Sequence, residues 1–231
     1  QRRACPDVAG SAHPDGVAGD DVFRSVAMMS APFGGAPVLP FDTANGKTAT
    51  PAGGFARSMG AVLDALAALP RPRKHYQWYY STRVANADMM GAAQGLHAFL
   101  RAYYHVKSAD WAPNRPHPLA AMTAECLAEL PTYYVMDQHV GMAATVAPFM
   151  PTPEQIAACS WLTDEDLAFY AGEFSRTGFQ GGLNWYRCTT VPGMQTDMEL
   201  FAGRKLEVPC LFIAGDRDWG IHQTAGAFSA M

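Results

Sequence analysis

The stretch "VPCLFIAGDRDWG", Val208 to Gly220, carries the strongest signal of fold in the chain. From Val208 to Gly215 it is a nearly unbroken apolar run, the pattern of a strand buried on both faces of a sheet, and an acidic turn follows at once. A second run of this kind, "VFRSVAMMS" from Val22 to Ser30, is closed by "APFGGAP". Two such strands predict a parallel sheet, and open parallel sheets gather their ligands beyond the carboxyl ends of the strands. Both "APFGG" and "GDRDWG" stand at such ends.

Between the two runs the chain reads as mostly helical. "GFARSMGAVLDALAAL", Gly54 to Leu69, places Met59, Val62, Leu63, Leu66 and Leu69 at helical spacing and stops at Pro70. "MMGAAQGLHAFLRAYYHV" continues in kind, with Leu96, Phe99, Leu100 and Tyr103 on one stripe. In "LTDEDLAFYAGEFSRTG", Thr163 is placed to cap a helix with Asp166 three residues on, and Gly178 to end it. Its expected buried stripe is Leu167, Tyr170, Ala171 and Phe174. Residues 1–21 are rich in Gly, Pro, Ala and Asp and read as loop. The fold class is therefore α/β: part of a parallel sheet core, residues 1–45 and 204–231, with a helical lid, residues 46–203, inserted between two core strands.

Composition narrows the function. With 231 residues, 49% of them hydrophobic and 11% aromatic, the chain buries a substantial core. A net charge of -4 with only 16% charged residues offers no basic surface for nucleic acid or anionic lipid, which leaves small-molecule chemistry. The five cysteines are scattered, as for inert core thiols in a reducing compartment, and no metal or cofactor motif is present. No apolar run approaches the length of a membrane span and no leader opens the sequence, so the expected location is cytoplasmic; oligomeric state is not legible.

Three stretches hold candidate chemistry. In "GDRDWG", Asp216 and Asp218 either cap a turn or supply the carboxylate that orients a histidine; Asp218, deeper in the loop and beside Trp219, is the better candidate. In "KHYQWYYS", Tyr76 beside Gln77 is a neutral donor suited to a developing alkoxide, although Tyr76, Trp78, Tyr79 and Tyr80 also suit lid packing. In "FQGGLNWYR", Phe179 to Arg187, Trp185 and Tyr186 form either a buried aromatic plug or a site for a working hydroxyl.

Taken in order, "SAPF" after a strand, "HYQWYY" entering the helices, "EFSRTGFQGGLNWYR" leaving them and "VPCLFIAGDRDWG" returning to the sheet resemble the epoxide hydrolases of the α/β-hydrolase fold, over residues 22–231. The resemblance implies attack of an aspartate carboxylate on an epoxide carbon, with Tyr76 and Tyr186 hydrogen-bonding the ring oxygen. A histidine backed by Asp218 then activates water, and the aspartyl ester is hydrolysed to release a vicinal diol. The implied partner is a small apolar epoxide held by Phe33, Gln77 and Trp185, with no cofactor.

The sequence departs from the family at both ends. The nucleophile elbow, Gly-x-Asp-x-Gly, is expected near "ACPDVAGSAHPDGVAGDD", where Asp7 is flanked by Pro6 and Val8 and the following glycine is Gly10. No histidine occupies the expected place beyond Asp218, since His222 follows too closely. The chain is thus expected to be an internal piece of a longer hydrolase, inactive as written and poorly soluble alone. Alternatives are a haloalkane dehalogenase or carboxylesterase of the same fold, or a non-catalytic remnant.

Overall fold

The protein is described here by a computed structural model covering residues 24–34, 54–191, 193–194, 201 and 206–231. Asp7 and the elbow region lie outside the described residues. Chain order runs β1 (Val26–Met29), α1 (Gly54–Ala67), β2 (Arg73–His75), α2 (Tyr76–Tyr80), α3 (Val84–Met90), α4 (Leu96–Lys107) and α5 (Ala124–Leu127). It continues with β3 (Val135–Asp137), α6 (Met142–Val146), α7 (Pro153–Ala158), α8 (Asp164–Thr177), α9 (Gln180–Thr190), β4 (Cys210–Ile213) and α10 (Ala227–Ala230).

β1 and β4 pair in parallel, Val26 opposite Cys210 and Met29 opposite Ile213, although nearly all of the helical chain separates them in sequence. Their carboxyl ends meet as the apolar runs predict. The Ser30 amide donates to Ile213 O at 2.9 Å, and the backbone of Gly220 lies so close to β1 that a Cβ there would stand 2.4 Å from Ser30 Oγ. Burial on both faces is not what these strands show. Along each, half-buried and exposed residues alternate, with Met29 68% and Ile213 47% exposed. An apolar run makes a strand fit to be covered, but covering it takes layers above and below, and the described helices pack on one another instead.

The helical region has its own core. Leu66, Phe99, Leu127, Met136, Met142 and Leu167 are each 1% exposed or less. α1 presents the expected stripe, with Leu66 buried and Val62, Leu63 and Leu69 packed beside it. The stretch expected to continue as one helix is two: α3 stops at Gly91, and α4 starts only after Gly95. Also unexpected is a short antiparallel ribbon, β2 against β3, with Arg73 opposite Asp137 and His75 opposite Val135. "RKH" and "VMD" have no strand pattern of their own, and their state comes from a partner sixty residues away. Side chains reinforce it. The guanidinium of Arg73, buried, donates to Val135 O, while Arg71 makes two hydrogen bonds to Asp137 at 2.6 and 2.7 Å.

Among the described residues, cysteine placement differs from the expected core thiols: Cys126, Cys159 and Cys210 are half-buried and Cys188, on α9, is exposed, while Cys5 lies outside the described residues. Among the described residues no helix is long and apolar enough to cross a membrane.

Candidate active site

The position of Tyr186 is set by the corner between α8 and α9. α8 begins as the sequence indicates: Thr163 Oγ1 accepts from the Asp166 amide at 3.1 Å and Asp166 Oδ2 accepts from the Thr163 amide at 3.1 Å. Arg101, 3% exposed on α4, fixes that end by donating to Leu162 O and to Asp164, each at 2.7 Å. The other end stops at Gly178, whose φ of 66° is a left-handed conformation that glycine adopts without strain. The Phe179 amide then donates to Asn86 Oδ1 at 2.8 Å, and the Phe179 ring stacks on Phe174 at 4.3 Å. α9 departs from this clamp and packs on α2. In the expected stripe of α8, Leu167 is buried and Phe174 half-buried, whereas Tyr170 is 44% exposed.

Packing of α2 on α9 unites residues 110 positions apart: the rings of Tyr76 and Tyr186 meet edge to face, 5.7 Å between centroids at 76°. Tyr80, one turn along α2 from Tyr76, touches both, at 5.6 Å and 5.1 Å, and its hydroxyl is 3.1 Å from that of Tyr103. Tyr134 closes the other side of Tyr76 at 5.1 Å. Lys107 Nζ sits over the rings of Tyr103, Tyr133 and Tyr134 at 4.5 to 5.0 Å. Burial removes the water that would solvate a phenolate, so it pushes the Tyr76 phenol up to about 12 and raises Tyr186 further. Both phenols are neutral hydrogen-bond donors throughout the physiological range. His75, 4% exposed, is lowered to about 4 by the same burial and is a neutral imidazole, its Nδ1 accepting from the Gln77 amide at 3.4 Å.

The acidic loop after β4 docks beneath this cluster. Arg217 Nη1 donates to Asn114 O at 3.1 Å, and Asn114 Nδ2 returns a bond to Arg217 O at 2.9 Å. Trp219, 4% exposed, stacks edge-on against His117 at 4.9 Å and joins the helical core. Asp218 is half-buried and its Oδ1 accepts from the Gly220 amide at 2.7 Å, which fixes the turn; Asp216 is exposed. The Asp218 charge reaches the phenols of Tyr76, Tyr133 and Tyr134, where it adds to the effect of burial. Tyr76 Oη donates to Gln223 Oε1 at 3.0 Å and accepts from Gln77 Nε2 at 3.3 Å, so the loop and α2 share one hydroxyl. Gln223, Tyr134 and Lys107 are absent from the sequence reading, because nothing in the local pattern around them differs from ordinary loop or core.

Behind Tyr80 and Tyr186 lies an open cavity of about 490 Å³, also walled by Phe99, Tyr103, Phe174 and Phe179. Its walls are largely apolar, and its size falls in the range of small-molecule sites. Phe33, 43% exposed, and Trp185, 73% exposed, line neither the cavity nor the tyrosine contacts. The reading of Trp185 as a buried plug is therefore corrected: α9 is amphipathic, and the face that buries Leu183 and turns Tyr186 inward turns its neighbour Trp185 outward. Among the described residues no group of three or more His, Cys, Asp and Glu side chains could hold a metal ion.

A parallel strand pair, a large helical lid inserted between its strands, and an acidic loop leaving the second strand to dock under the lid define an α/β-hydrolase fold. Over part of its length the chain is similar in sequence to curated epoxide hydrolases. It is 48% identical over 66 residues to epoxide hydrolase A of Mycobacterium tuberculosis (29% of this chain, 20% of that one). Against epoxide hydrolase 3 of Siraitia grosvenorii the figure is 41% over 73 residues, 32% and 22% of the two chains. An epoxide hydrolase from an endophytic Streptomyces superposes with a TM-score of 0.56 at 22% identity, over 91% of this chain and 50% of that one, which establishes the shared fold. No protein-family model matches. The aligned segment thus spans about a fifth of each of these curated relatives, narrower than the resemblance read across residues 22–231.

Proposed function

We propose that this chain forms the lid and acid loop of an epoxide hydrolase, with residues 46–203 as lid and residues 1–45 and 204–231 as core. The observation that carries the reading is the contact of Tyr76 with Tyr186. Two neutral phenols side by side can both donate to one oxygen, and a strained ether leaves only when the negative charge developing on its oxygen is stabilised. A cation would do this more strongly, but it would also attract and quench an attacking carboxylate. High phenol pKa values keep the protons on Tyr76 and Tyr186, and they suit donation without full transfer.

In this reading Asp218 orients the histidine that activates water against the aspartyl ester, and Gln77 supports the Tyr76 hydroxyl. The substrate is an epoxide with an apolar substituent. Its oxygen meets the phenol pair, while its substituent enters the cavity bordered by Phe99, Phe174 and Phe179. Phe33 and Trp185 remain candidates for contact with substrate only at the margin, given their exposure. The test supplies nucleophile and histidine through a chimera: this chain replaces the corresponding half of the Streptomyces epoxide hydrolase, and styrene oxide is the substrate. Diol formation that falls by about two orders of magnitude or more in Tyr76→Phe/Tyr186→Phe supports the proposal. Turnover indifferent to both substitutions would sink it, as would release of halide from a haloalkane with no diol from the epoxide.

A further inference from the structure

Tyr76 has one hydroxyl proton, and that proton is already in use. It is given to Gln223 Oε1 at 3.0 Å, while Gln77 Nε2 occupies a lone pair of the same oxygen at 3.3 Å. Gln223 is held for this from behind: its backbone N–H donates to Trp219 O at 3.0 Å, Trp219 is locked in the helical core, and Asp218 caps the same turn. Tyr76 is 8% exposed and edge-packed by Tyr80, Tyr134 and Tyr186, so its ring has no freedom to seek another acceptor. Only the O–H bond can turn. A buried hydroxyl without an acceptor is costly, and Gln223 removes that cost. The carbonyl that satisfies the proton also competes for it.

We propose that Gln223 is a positioning residue that accepts the Tyr76 hydrogen bond and competes for it with an oxygen acceptor, so that ligand binding breaks the lid-to-loop hydrogen bond. This rests on the reading of Tyr76 as a donor to the epoxide oxygen. It adds a consequence which that reading lacks: part of the affinity for the oxygen is spent on displacing Gln223, and the bond linking lid to acid loop is given up when an oxygen acceptor binds.

The test uses the full chain and 2-phenyltetrahydrofuran, an ether acceptor too unstrained to be opened. Gln223→Leu keeps the bulk and removes the competing carbonyl, so the probe should bind about two- to ten-fold more tightly than to wild type. In a Tyr76→Phe background, where there is no proton to compete for, Q223L should leave the Kd unchanged. A purely structural role would shift both backgrounds alike, and that result, or weaker binding in Q223L alone, overturns the proposal. If Q223L fails to fold, Gln223→Asn, whose amide stops one methylene short, takes its place with the same expected direction. The hydroxyl proton of Tyr76, identified by NMR as the resonance lost in Y76F, gives a reading independent of any ligand. It should move in Q223L; an unmoved resonance overturns the proposal. No saturable binding to wild type, with the resonance still moving, counts against the epoxide site rather than against the Gln223 bond.

Discussion

The helical lid carries its apolar residues on stripes and the strand pair is apolar throughout, yet it is the lid that buries them. In the lid, Phe99, Leu127 and Met142 are sealed by helices from several directions. In the strand pair, Met29, Leu211 and Ile213 are 68%, 44% and 47% exposed, and among the described residues the two strands contact chiefly each other. Apolar composition supplies the tendency to be buried; the number of layers brought to the surface decides how much of it is realised. The acid loop bridges the two regions, because Trp219 is anchored in the lid core while Gly220 is pressed against the end of β1.

Truncation of a core side chain offers the sharpest test of this contrast. Phe99→Ala in the lid should cost about 3–5 kcal/mol in denaturant unfolding, since a fully buried aromatic leaves a cavity that its neighbours cannot close. Comparable losses from the same treatment of Ile213 would erase the distinction. Acid should act on the lid next. His75 has an ordinary value of 6.5 and is lowered to about 4 when folded, so below 6.5 the unfolded chain binds a proton that the native lid refuses. Stability from this group is full above 6.5 and declines as pH falls toward 4, by roughly 3 kcal/mol, and His75→Gln should flatten that part of the descent. A slope unchanged by H75Q would mean that the imidazole is solvated.

Smaller effects follow from the polar clamps. Asp88 Oδ2 accepts from Tyr79 Oη at 2.5 Å and from the Ala143 amide at 3.1 Å, tying α3 to α2 and α6. Asp88→Ala strands both donors and should lose about 2–3 kcal/mol, read as a lower denaturation midpoint. Ile213→Ala and Trp185→Ala should change stability least, by about 1 kcal/mol or less, because much of each side chain is in water already.

Local signals were read well where one helical turn or one strand contains its own reason. The capping box at Thr163, the stop at Gly178, the stripe of α1 and the parallel pairing of two apolar runs are all short-range patterns or their direct consequence. The same reading found the resemblance to the epoxide hydrolases, because the motifs that carry it are contiguous. It joined α3 and α4 because the hydrophobic period crosses Gly91 to Gly95 without showing the break, and it missed β2 and β3 because their strand state comes only from each other.

The sequence by itself determined which residues carry phenol, carboxylate and amide groups, and the order in which strand, lid and acid loop occur. Only the tertiary structure decided that Tyr76 and Tyr186 face one another, that Trp185 does not join them, and that Gln223 accepts the hydrogen bond of the Tyr76 hydroxyl. The reason is physical. A side chain's chemistry belongs to its own atoms, but its partner, its solvation and hence its acidity depend on what helices from distant parts of the chain bring within a few ångströms.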